Sequence, residues 1–289
     1  MDPSYMLVIE PKLKEFLLED VHFEDVSTAL IPETTKGKAS FIAKEKGILC
    51  GLIEVEAVYG LVDCKVTALK KEGEAIAKGD VLATVSGPVR AILLAERTAL
   101  NLLMHLSGIA TITSQFQAIV DQERTSQNCK IAATRKTVPG LRAMEKRAVV
   151  VGGGDAHRWN LDDMVLLKDN HVAFFGNIET MVTRYKKAIS FTKKIEVEVT
   201  SAGDAVKAAR AGADIVMLDN MPVDEMKRAI AALEKENLRD KVVVESSGNV
   251  DISTVAQHAK AGVDLISTSA ITLRAKPLDI SLELDGNEG

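Results

Sequence analysis

The sequence predicts an α/β protein in which a β-rich N-terminal part precedes a series of β/α units. In the second part, helix-length segments alternate with short apolar runs, which lie at 130–134, 164–168, 195–199, 214–218, 242–246 and 263–267. An internal echo supports the repetition, because ARAGADI at 209–215 and AKAGVDL at 259–265 each carry a helix end, a capping glycine and a strand start. This alternation predicts a parallel sheet with right-handed crossovers, and the repeats favour a barrel over an open sheet without settling its closure.

Length and composition bound the class of protein. The 289 residues suffice for one large domain or two ordinary ones, and 46% hydrophobic with 27% charged residues is typical of a globular chain. A net charge of −5 and only 4% aromatic residues argue against binding a nucleic-acid backbone or stacking on its bases. No apolar run approaches the roughly 18 residues of a membrane span. We therefore expect neither nucleic acid nor a membrane as a partner.

The cysteines and the start of the chain indicate a cytoplasmic protein. Cys50, Cys64 and Cys129 are widely spaced and form no CxxC pair, so free thiols are expected rather than a structural zinc site. Free thiols fit a reducing compartment. The first residues, which include Asp2 and Pro3, lack the basic segment of a signal peptide.

Three patterns describe the N-terminal part. Residues 10–20 predict a short amphipathic helix with Pro11 in its first turn. Its apolar face would be formed by Leu13, Phe16 and Leu17. Residues 24–37 show no regular pattern, whereas short strand-like runs separated by glycines from 37 to 88 predict a small sandwich or barrel-like domain.

One segment of this β-rich part, KEGEAIAKGDVLATVSG at 71–87, is similar to the hammerhead region of biotin- and lipoyl-carrier folds. Those folds present a modifiable lysine flanked by methionine, and this segment has no such Met-Lys pair. A carrier or binding module in residues 37–88 is therefore the non-enzyme alternative. A biotinyl or lipoyl addition to the intact mass would decide in its favour.

A long helix is predicted over residues 89–120, where leucines supply apolar faces. Arg97, Asn101 and His105 recur at four-residue spacing and form one polar stripe. On spacing alone, a solvent-facing stripe is the preferred interpretation. Gly108, within the run, predicts either a break in the helix or a close contact with it.

The region from Lys130 to His171 is cationic in an otherwise acidic chain. Its cations between residues 134 and 168 are Arg135, Lys136, Arg142, Lys146, Arg147, Arg158 and Lys168. For those at 142–147, a solvated helix face is the preferred interpretation. The other four adjoin strand-like runs or a glycine loop, which predicts a pocket for a multiply anionic small molecule.

The predicted strands end in an unusual set of polar residues. In a β/α barrel the carboxyl ends of the strands converge on one mouth, where active sites are built. The ends are Thr134-Arg135-Lys136, Lys168-Asp169-Asn170, Glu198, Asp219-Asn220, Ser246-Ser247-Gly248 and Ser267-Thr268-Ser269. We therefore expect cations, carboxylates and small hydroxyl groups to share one pocket.

The chemistry of these groups predicts their roles. Arg135, Arg158 and Lys168 can neutralise carboxylates, at about 1.5–3 kcal/mol per charged hydrogen bond. Glu198 and Asp219 suit ribose hydroxyls or a Mg²⁺ ion, and an ion pair with Lys168 is the alternative for Glu198. Serines at the junctions of strand and helix suit a phosphate, with simple N-capping as their alternative role.

Six stretches can be compared with a known family. They are AERTALNLLMHLSGIAT (95–111), ATRKTVPGLRAMEK (133–146), GGGDAHRWNLDDMVLLKDNH (152–171), IEVEV (195–199), ADIVMLDNM (213–221) and LDISLEL (278–284). In combination they are specific, and the chain that carries them resembles the quinolinate phosphoribosyltransferases. This family is also called nicotinate-nucleotide pyrophosphorylase (carboxylating) and belongs to the type II phosphoribosyltransferases.

The resemblance implies an α/β fold made of an open (β/α) barrel and an N-terminal α/β hammerhead-like domain. The N-terminal domain would span 1–110 and the catalytic barrel 111–271, with the tail 272–289 returning to the N-terminal domain. The resemblance also implies a homodimer, with any higher assembly left open. Its active sites would lie between the barrel of one subunit and the N-terminal domain of the other.

The implied reaction transfers phosphoribosyl from phosphoribosyl pyrophosphate (PRPP) to quinolinate with loss of CO₂. It gives nicotinate mononucleotide and pyrophosphate in NAD biosynthesis, and Mg²⁺ is the implied cofactor. We prefer quinolinate over nicotinate, because two carboxylates account for more of the cations. A related group associated with molybdate transport is the alternative within the family. A Schiff-base aldolase with Lys168 as nucleophile is the alternative enzyme class, which borohydride trapping would reveal.

Carried over by motif, the resemblance also implies site residues. The pyridine dicarboxylate would be held by Arg135, His157, Arg158, Lys168 and, from the neighbouring subunit, Arg97. Substrate binding would also include Thr134, with Lys136 at the phosphate groups, Glu198 and Asp219 at the ribose and metal, and Ser247, Gly248, Asn249 and Ser269 at the 5′-phosphate. The catalytic residues would be Lys136, Lys168, Glu198 and Asp219. Asn249 and Ser269 stand where the family often has glycine, and both add bulk at the implied phosphate site.

Overall fold

The computed structural model describes residues 3–285. Its helices are α1 (Pro3–Asp20), α2 (Leu52–Gly60), α3 (Val89–Glu123), α4 (Arg142–Val151), α5 (Asp169–Phe175), α6 (Ile178–Ala188), α7 (Ala202–Ala211), α8 (Val223–Lys235), α9 (Val255–Lys260) and α10 (Ala270–Leu273). Its strands are β1 (Lys36–Ala43), β2 (Gly47–Ile48), β3 (Lys65–Ala68), β4 (Ala75–Ile76), β5 (Val81–Pro88), β6 (Lys130–Ala132), β7 (Val165–Leu167), β8 (Ile195–Val199), β9 (Ile215–Asp219), β10 (Val243–Ser247), β11 (Leu265–Ser267) and β12 (Ile280–Leu284).

The chain forms two compact units. The first comprises the chain up to Ser114, Val138–Gly153 and the chain from Arg274 onward, and the second comprises Gln115–Thr137 and Gly154–Leu273. The domain limits proposed from the sequence, with a boundary between residues 110 and 111 and a tail from 272 to 289, remain predictions. Residues 286–289 of that tail lie outside the described residues.

The first unit contains a four-stranded antiparallel sheet in the order β12-β1-β5-β3, together with the short pair β2-β4. Buried Phe41 of β1 packs edge-on against buried Tyr59 of α2, with ring centroids 6.0 Å apart. The sandwich or barrel-like domain expected for residues 37–88 is therefore wrong, because Leu52–Gly60 forms a helix. The Glu72 carboxylate accepts the backbone N–H groups of Gly51 and Leu52 at 3.0 and 2.7 Å, which satisfies donors at the start of α2.

Two other expectations for the first unit are wrong. Helix α1 begins at Pro3, so Pro11 lies inside the helix and not in its first turn. The cations of α4 do not form a solvated face, because Lys146 is fully buried and Arg147 is largely so. Arg147 pairs with Glu54 at 3.4 Å and with Glu72 at 2.8 Å, and these carboxylates from elsewhere in the unit offset the cost of burying it.

Gly108 marks a close contact and not a break, since α3 continues through it as predicted for the long helix. A Cβ at Gly108 would lie 2.2 Å from the carbonyl oxygen of Lys276. The backbone beyond Lys276 reaches β12, which pairs antiparallel with β1. A glycine is therefore required where the chain from 276 onward crosses the helix.

The second unit is built on a parallel sheet in the order β6-β11-β10-β9-β8-β7. Each apolar run predicted from the sequence contributes one of these strands, and helices alternate with them along the chain. Strands β6 and β7 are the two edges of the sheet within the described residues. The predicted fold class, an α/β fold made of an open (β/α) barrel and an N-terminal α/β domain, is confirmed by this parallel sheet and the separate antiparallel sheet of the first unit.

The two similar segments, 209–215 and 259–265, have corresponding structures. Gly212 and Gly262 adopt positive φ angles of 94° and 93° after their helices, as predicted for capping glycines. The aspartates that follow reach across to the start of another strand: Asp214 accepts the N–H of Ile195 at 2.8 Å, and Asp264 accepts the N–H of Val244 at 2.9 Å. Each repeat thus fixes the amino-terminal end of a neighbouring strand.

Within the described residues, no helix is both long and apolar enough to cross a membrane. Cys50, Cys64 and Cys129 are buried free thiols, as predicted.

The carboxylate of Asp264 gives a prediction about stability. Burial alone would raise the pKa of Asp264, but hydrogen bonds from Arg239, Val244 and Ser126 outweigh burial and lower it. A carboxyl group whose pKa is lowered by folding stabilises the protein above its unfolded pKa of about 3.9, and this contribution is lost as the pH falls through the lower folded pKa. We expect Asp264→Asn to cost about 1.5–3 kcal/mol at pH 7 and progressively less as the pH falls below about 3.9.

Thermal unfolding of the wild type and of Asp264→Asn between pH 3 and pH 7 measures the difference in stability. Asp214→Asn is the matched control, because Asp214 occupies the same place in the other repeat and accepts the Ile195 N–H. Asp264 additionally pairs with Arg239 at 2.7 Å, so its substitution should lower Tm more. Equal Tm values for the wild type and Asp264→Asn at pH 7 would contradict the argument.

Candidate active site

The carboxyl ends of the parallel strands surround a cleft of about 520 Å³ in the second unit. Predicted site residues that line it are Thr134, Arg135, Lys136, His157, Arg158, Lys168, Glu198, Asp219 and Ser247. The other polar lining residues are Asn220, Glu245 and Ser267. Residues far apart in sequence thus share one cavity, because parallel strands end at the same edge of a sheet.

Two neighbouring segments supply the arginines. Asp155 bridges to Ala132 of β6, so the backbone that leads to His157 and Arg158 runs alongside the edge strand that leads to Arg135. The Nε of Arg135 is buried without a hydrogen-bond partner among the described residues. A buried guanidinium donor that lacks an acceptor indicates a place for an anionic ligand group.

Lys168 and Glu198 form an ion pair across adjacent strand ends, with 2.6 Å between Nζ and Oε2. This is the interaction considered as the alternative role for Glu198. Both side chains nevertheless line the cleft, and the Lys168 side chain is 48% exposed. A partly exposed pair of this kind is worth at most about 1 kcal/mol, so ligands can replace either partner at low cost.

A buried hydrogen-bonded group lies next to the arginines. The Nδ1 of His157 accepts the backbone N–H of Arg158 at 2.7 Å, so its Nε2 carries the proton and donates to Glu245 at 3.0 Å. The other Glu245 oxygen accepts the hydroxyl of Ser267 at 2.5 Å. Burial, followed by the nearby Glu245 carboxylate, raises the pKa of Glu196.

Glu196 and Glu245, both of which are fully buried, were not among the site residues predicted from the sequence. The available signal was a charged residue inside a strand-like run, in IEVEV at 195–199 and in the run that leads to Ser246. Ligand atoms of His157, Glu196 and Glu245 lie within 4.8 Å of one another. Because His157 Nε2 donates its proton to Glu245, that nitrogen is not available to a metal, and both Glu196 oxygens are buried without a hydrogen-bond partner among the described residues.

Glu198 and Asp219, the two carboxylates that were predicted to hold a metal, lie at the open cleft and differ in this from the fully buried Glu196. Glu198 is the penultimate residue of β8, Asp219 is the last residue of the adjacent β9, and both line the cleft. Two carboxylates on a solvent-connected cleft suit Mg²⁺, which takes one or two protein carboxylates and completes its shell with phosphate oxygens and water.

The predicted phosphate-binding residues are only partly at the cleft. Ser247 lines it, whereas Gly248, Asn249 and Ser269 are not among its lining residues. Gly248 and Asn249 follow β10 and lie against Asn220, and the carbonyl of Ser269 accepts the N–H groups of Thr272 and Leu273 in α10. Asn220 was noted at a strand end but not selected as a site residue.

Arg97 lies in the first unit, on the exposed side of α3. It lines a surface groove there together with the acids Asp20, Glu24 and Asp25. Of the polar stripe predicted on this helix, Asn101 is also exposed, whereas His105 is partly buried and bonded to Glu145.

The fold and the cleft define a class of protein, an α/β enzyme for anionic small molecules. Comparison with known proteins makes this specific. Residues 20–107 match the model of the quinolinate phosphoribosyl transferase N-terminal domain, and residues 109–283 match that of the C-terminal domain. The chain belongs to the quinolinate phosphoribosyl transferase family, and it is therefore a phosphoribosyltransferase, as the resemblance predicted.

Relatives are similar along nearly the whole chain. The probable nicotinate-nucleotide pyrophosphorylase [carboxylating] of Methanothermobacter thermautotrophicus is 44% identical, over 95% of this chain and 98% of the relative. The human nicotinate-nucleotide pyrophosphorylase [carboxylating] is 37% identical, over 90% of this chain and 86% of the relative. The crystal structure of NadC from Streptococcus pyogenes superposes with a TM-score of 0.90 at 38% identity and covers 97% of each chain.

The strand-end geometry beside Asn220 yields a prediction. Gly248 has a φ of 96°, and a Cβ there would lie 2.3 Å from Oδ1 of Asn220. Gly248→Ala should therefore cost about 1–3 kcal/mol of stability through backbone strain and displacement of the amide. Gly203→Ala is the control, since its Cβ would meet only Ser201 Oγ at 3.9 Å, and it should not lower Tm. A Gly248→Ala protein with the Tm of the wild type would contradict this geometry.

Proposed function

We propose that this protein transfers the phosphoribosyl group of PRPP to quinolinate, with loss of CO₂. The products are nicotinate mononucleotide and pyrophosphate, which places the reaction in NAD biosynthesis. The observation that carries the proposal is the cleft itself, where cations from the two edge strands and carboxylates from the central strands meet in a chain of this family. The relatives' name, nicotinate-nucleotide pyrophosphorylase [carboxylating], favours this activity over the group associated with molybdate transport. It also leaves no support for an aldolase or a carrier module.

The pyridine dicarboxylate fits the cationic part of the cleft. Arg135, Arg158 and Lys168 offer charged donors, and the buried Nε of Arg135 supplies one that still needs an acceptor. His157 is fixed next to them by its bonds to Arg158 and Glu245, with Thr134 also at the cleft. Two carboxylates on one ring use more of these donors than one carboxylate does, and this favours quinolinate over nicotinate.

The ribose and its phosphates fit the remainder. Glu198 and Asp219 would hold the ribose hydroxyls and the Mg²⁺ that their chemistry suits, while Lys136 would contact phosphate oxygens. Ser247 lies at the end of β10, next to the turn that continues into Gly248. When bound, Mg²⁺ would help to neutralise the pyrophosphate. Gly248 and Ser269 are part of the proposed 5′-phosphate site, and Asn249 belongs to it either by direct contact or through Asn220.

The reaction develops positive charge at the ribose carbon as its bond to pyrophosphate breaks. The carboxylates of Glu198 and Asp219 are positioned to stabilise that charge, and Lys136 offsets the negative charge that develops on the leaving group. The ring nitrogen then bonds to the ribose carbon. The carboxylate next to the ring nitrogen then leaves as CO₂. The electron pair of the broken C–C bond stays on the ring carbon, which takes up a proton. Arg135, Arg158 and Lys168 would hold the substrate in place during this step.

The direct test is to incubate the protein with quinolinate, PRPP and Mg²⁺. We expect nicotinate mononucleotide, pyrophosphate and CO₂ in equal amounts. With nicotinate in place of quinolinate, loss of one charged contact should lower kcat/KM by at least about tenfold. Equal turnover of the two acids would exclude quinolinate as the preferred substrate, and no product from either would overturn the proposed activity.

We also propose a homodimer in which each active site draws on both subunits, with Arg97 reaching the site of the other subunit. The exposed position of Arg97 on α3 supports this role. Large exposed apolar side chains on the first unit support association, and they include Leu7, Phe23 and Leu30, the last two at 100% and 98% exposure. A cytoplasmic location, expected from the free thiols, completes the proposal.

Mixing inactive subunits tests the shared site. Arg97→Ala and Lys168→Ala would each abolish activity, but a dimer with one of each would retain one intact site. After subunit exchange, we expect recovery of up to about a quarter of the wild-type activity. Each variant refolded and exchanged with itself is the control. Mass spectrometry must verify the exchange, and verified mixed dimers without activity would contradict the sharing of sites.

A further inference from the structure

The ends of β9 and β10 share an unusual backbone. Asn220, Gly248 and Asn249 have positive φ angles of 49°, 96° and 52°. Asp219 and Ser247 are paired in register, and the N–H of Asn220 donates to the carbonyl of Ser247 at 2.9 Å. Positive φ is uncommon for residues other than glycine, and asparagine is among the few that adopt it readily. The two turns are therefore locally specified by their sequence.

Hydrogen bonds link three side chains at these turns, Asp219, Asn220 and Asn249, which we call the amide ladder. The Nδ2 of Asn249 donates to Oδ1 of Asn220 at 3.0 Å. The Nδ2 of Asn220 in turn donates to Oδ2 of Asp219 at 3.1 Å. Gly248 leaves the space that the Asn220 amide needs, since any Cβ there would lie 2.3 Å from Oδ1.

We propose that Asn249 is a positioning residue that acts through Asn220 to orient the carboxylate of Asp219 for the ribose hydroxyls and divalent cation of PRPP. The proposal rests on the function proposed above. The hydrogen bond from the Asn220 amide to Oδ2 fixes the rotation of the Asp219 carboxylate, so that Oδ1 is presented in one orientation to a ligand in the cleft. The Asn220 amide must itself be held in one orientation, because a free amide can rotate and offer either its oxygen or its nitrogen to Asp219. The hydrogen bond from Asn249 to Oδ1 of Asn220 supplies this restraint.

This assignment gives a role to Asn249, which stands where the family resemblance implies a glycine. Its side chain is bonded to Asn220, and Asn249 is not among the residues that line the cleft. The Asn249 side chain is thus accommodated by a hydrogen bond between the two turns. The rival explanation is a direct contact between Asn249 and a phosphate of PRPP, and the two explanations differ in how substitutions at 249 and 220 combine.

A double-mutant cycle separates them. Binding of PRPP in the presence of Mg²⁺ is measured by calorimetry for the wild type, Asn249→Gly, Asn220→Ala and the double variant. Glycine suits the φ of 52° at position 249, so folding should be retained. Loss of one partly exposed hydrogen bond should weaken PRPP binding by about two- to tenfold in each single variant. In the double variant the ladder predicts no loss beyond that of Asn220→Ala, whereas a direct phosphate contact predicts that the losses multiply.

Two controls show whether the effect is specific. Asn237→Gly changes another asparagine at positive φ, 54°, that is not among the cleft-lining residues, and PRPP binding should be unchanged. Quinolinate binding should be the same in the wild type and Asn249→Gly, because the ladder acts on the ribose side. An equal loss for quinolinate would mean a general structural effect and would overturn the positioning role.

A readout without ligand completes the test. The side-chain amide resonances of Asn220, assigned by comparison with Asn220→Ala, should shift in Asn249→Gly. Unmoved resonances, or multiplied losses of PRPP affinity in the double variant, would overturn the ladder while leaving the activity intact. A wild-type protein that fails to bind PRPP would overturn the proposed function and the positioning role together, although the resonances would still show whether the side chains are linked.

Discussion

The cleft depends on the mutual stabilisation of its cations and the carboxylates buried beside them. Two like charges 4 Å apart repel by about 4 kcal/mol at the effective dielectric constant of a protein surface. Burial lowers the pKa of Arg158 below its usual value, and the nearby Glu196 and Glu245 carboxylates oppose this shift only in part. These acids are fully buried, so each would be costly to bury without the cations. The opposite charges of Arg158 and Glu196 reduce, without cancelling, the cost of burying both groups.

The sheet of the second unit could be predicted from the sequence because its strands are short apolar runs that end in polar residues. The echo at 209–215 and 259–265 even located the capping glycines. The first unit was harder, because its local structure depends on distant partners. The segment Leu52–Gly60 is rich in β-branched and apolar residues, and the carboxylate that caps it comes from Glu72. In the same way, the burial of Arg147 depends on Glu54 and Glu72, whose proximity no local pattern reveals.

The candidate site was predictable where its residues stand at strand ends and unpredictable where they lie within strands or act through others. Arg135, Lys168 and Glu198 were found by position and type together. Glu245 was missed because a charge within an apolar run carries no sign of which face it occupies. Asn220 was missed because its importance lies in its bonds to Asp219 and Asn249, and these appear only when two strand ends are placed side by side.

The order of strands sets the distribution of charge. Strands β6 and β7, at the two edges, lead to Arg135 and Lys136 and to Lys168, whereas the inner strands β8, β9 and β10 carry the cleft carboxylates. The cleft is therefore cationic at its flanks and anionic in its middle. The proposed reaction has the complementary distribution, with carboxylates and phosphates on either side of a ribose carbon that becomes positive. Because strand order is a property of the whole sheet, this match cannot result from any one motif. It requires residues from 135 to 219 to occupy particular places in a single topology, and it ties the family's chemistry to its fold.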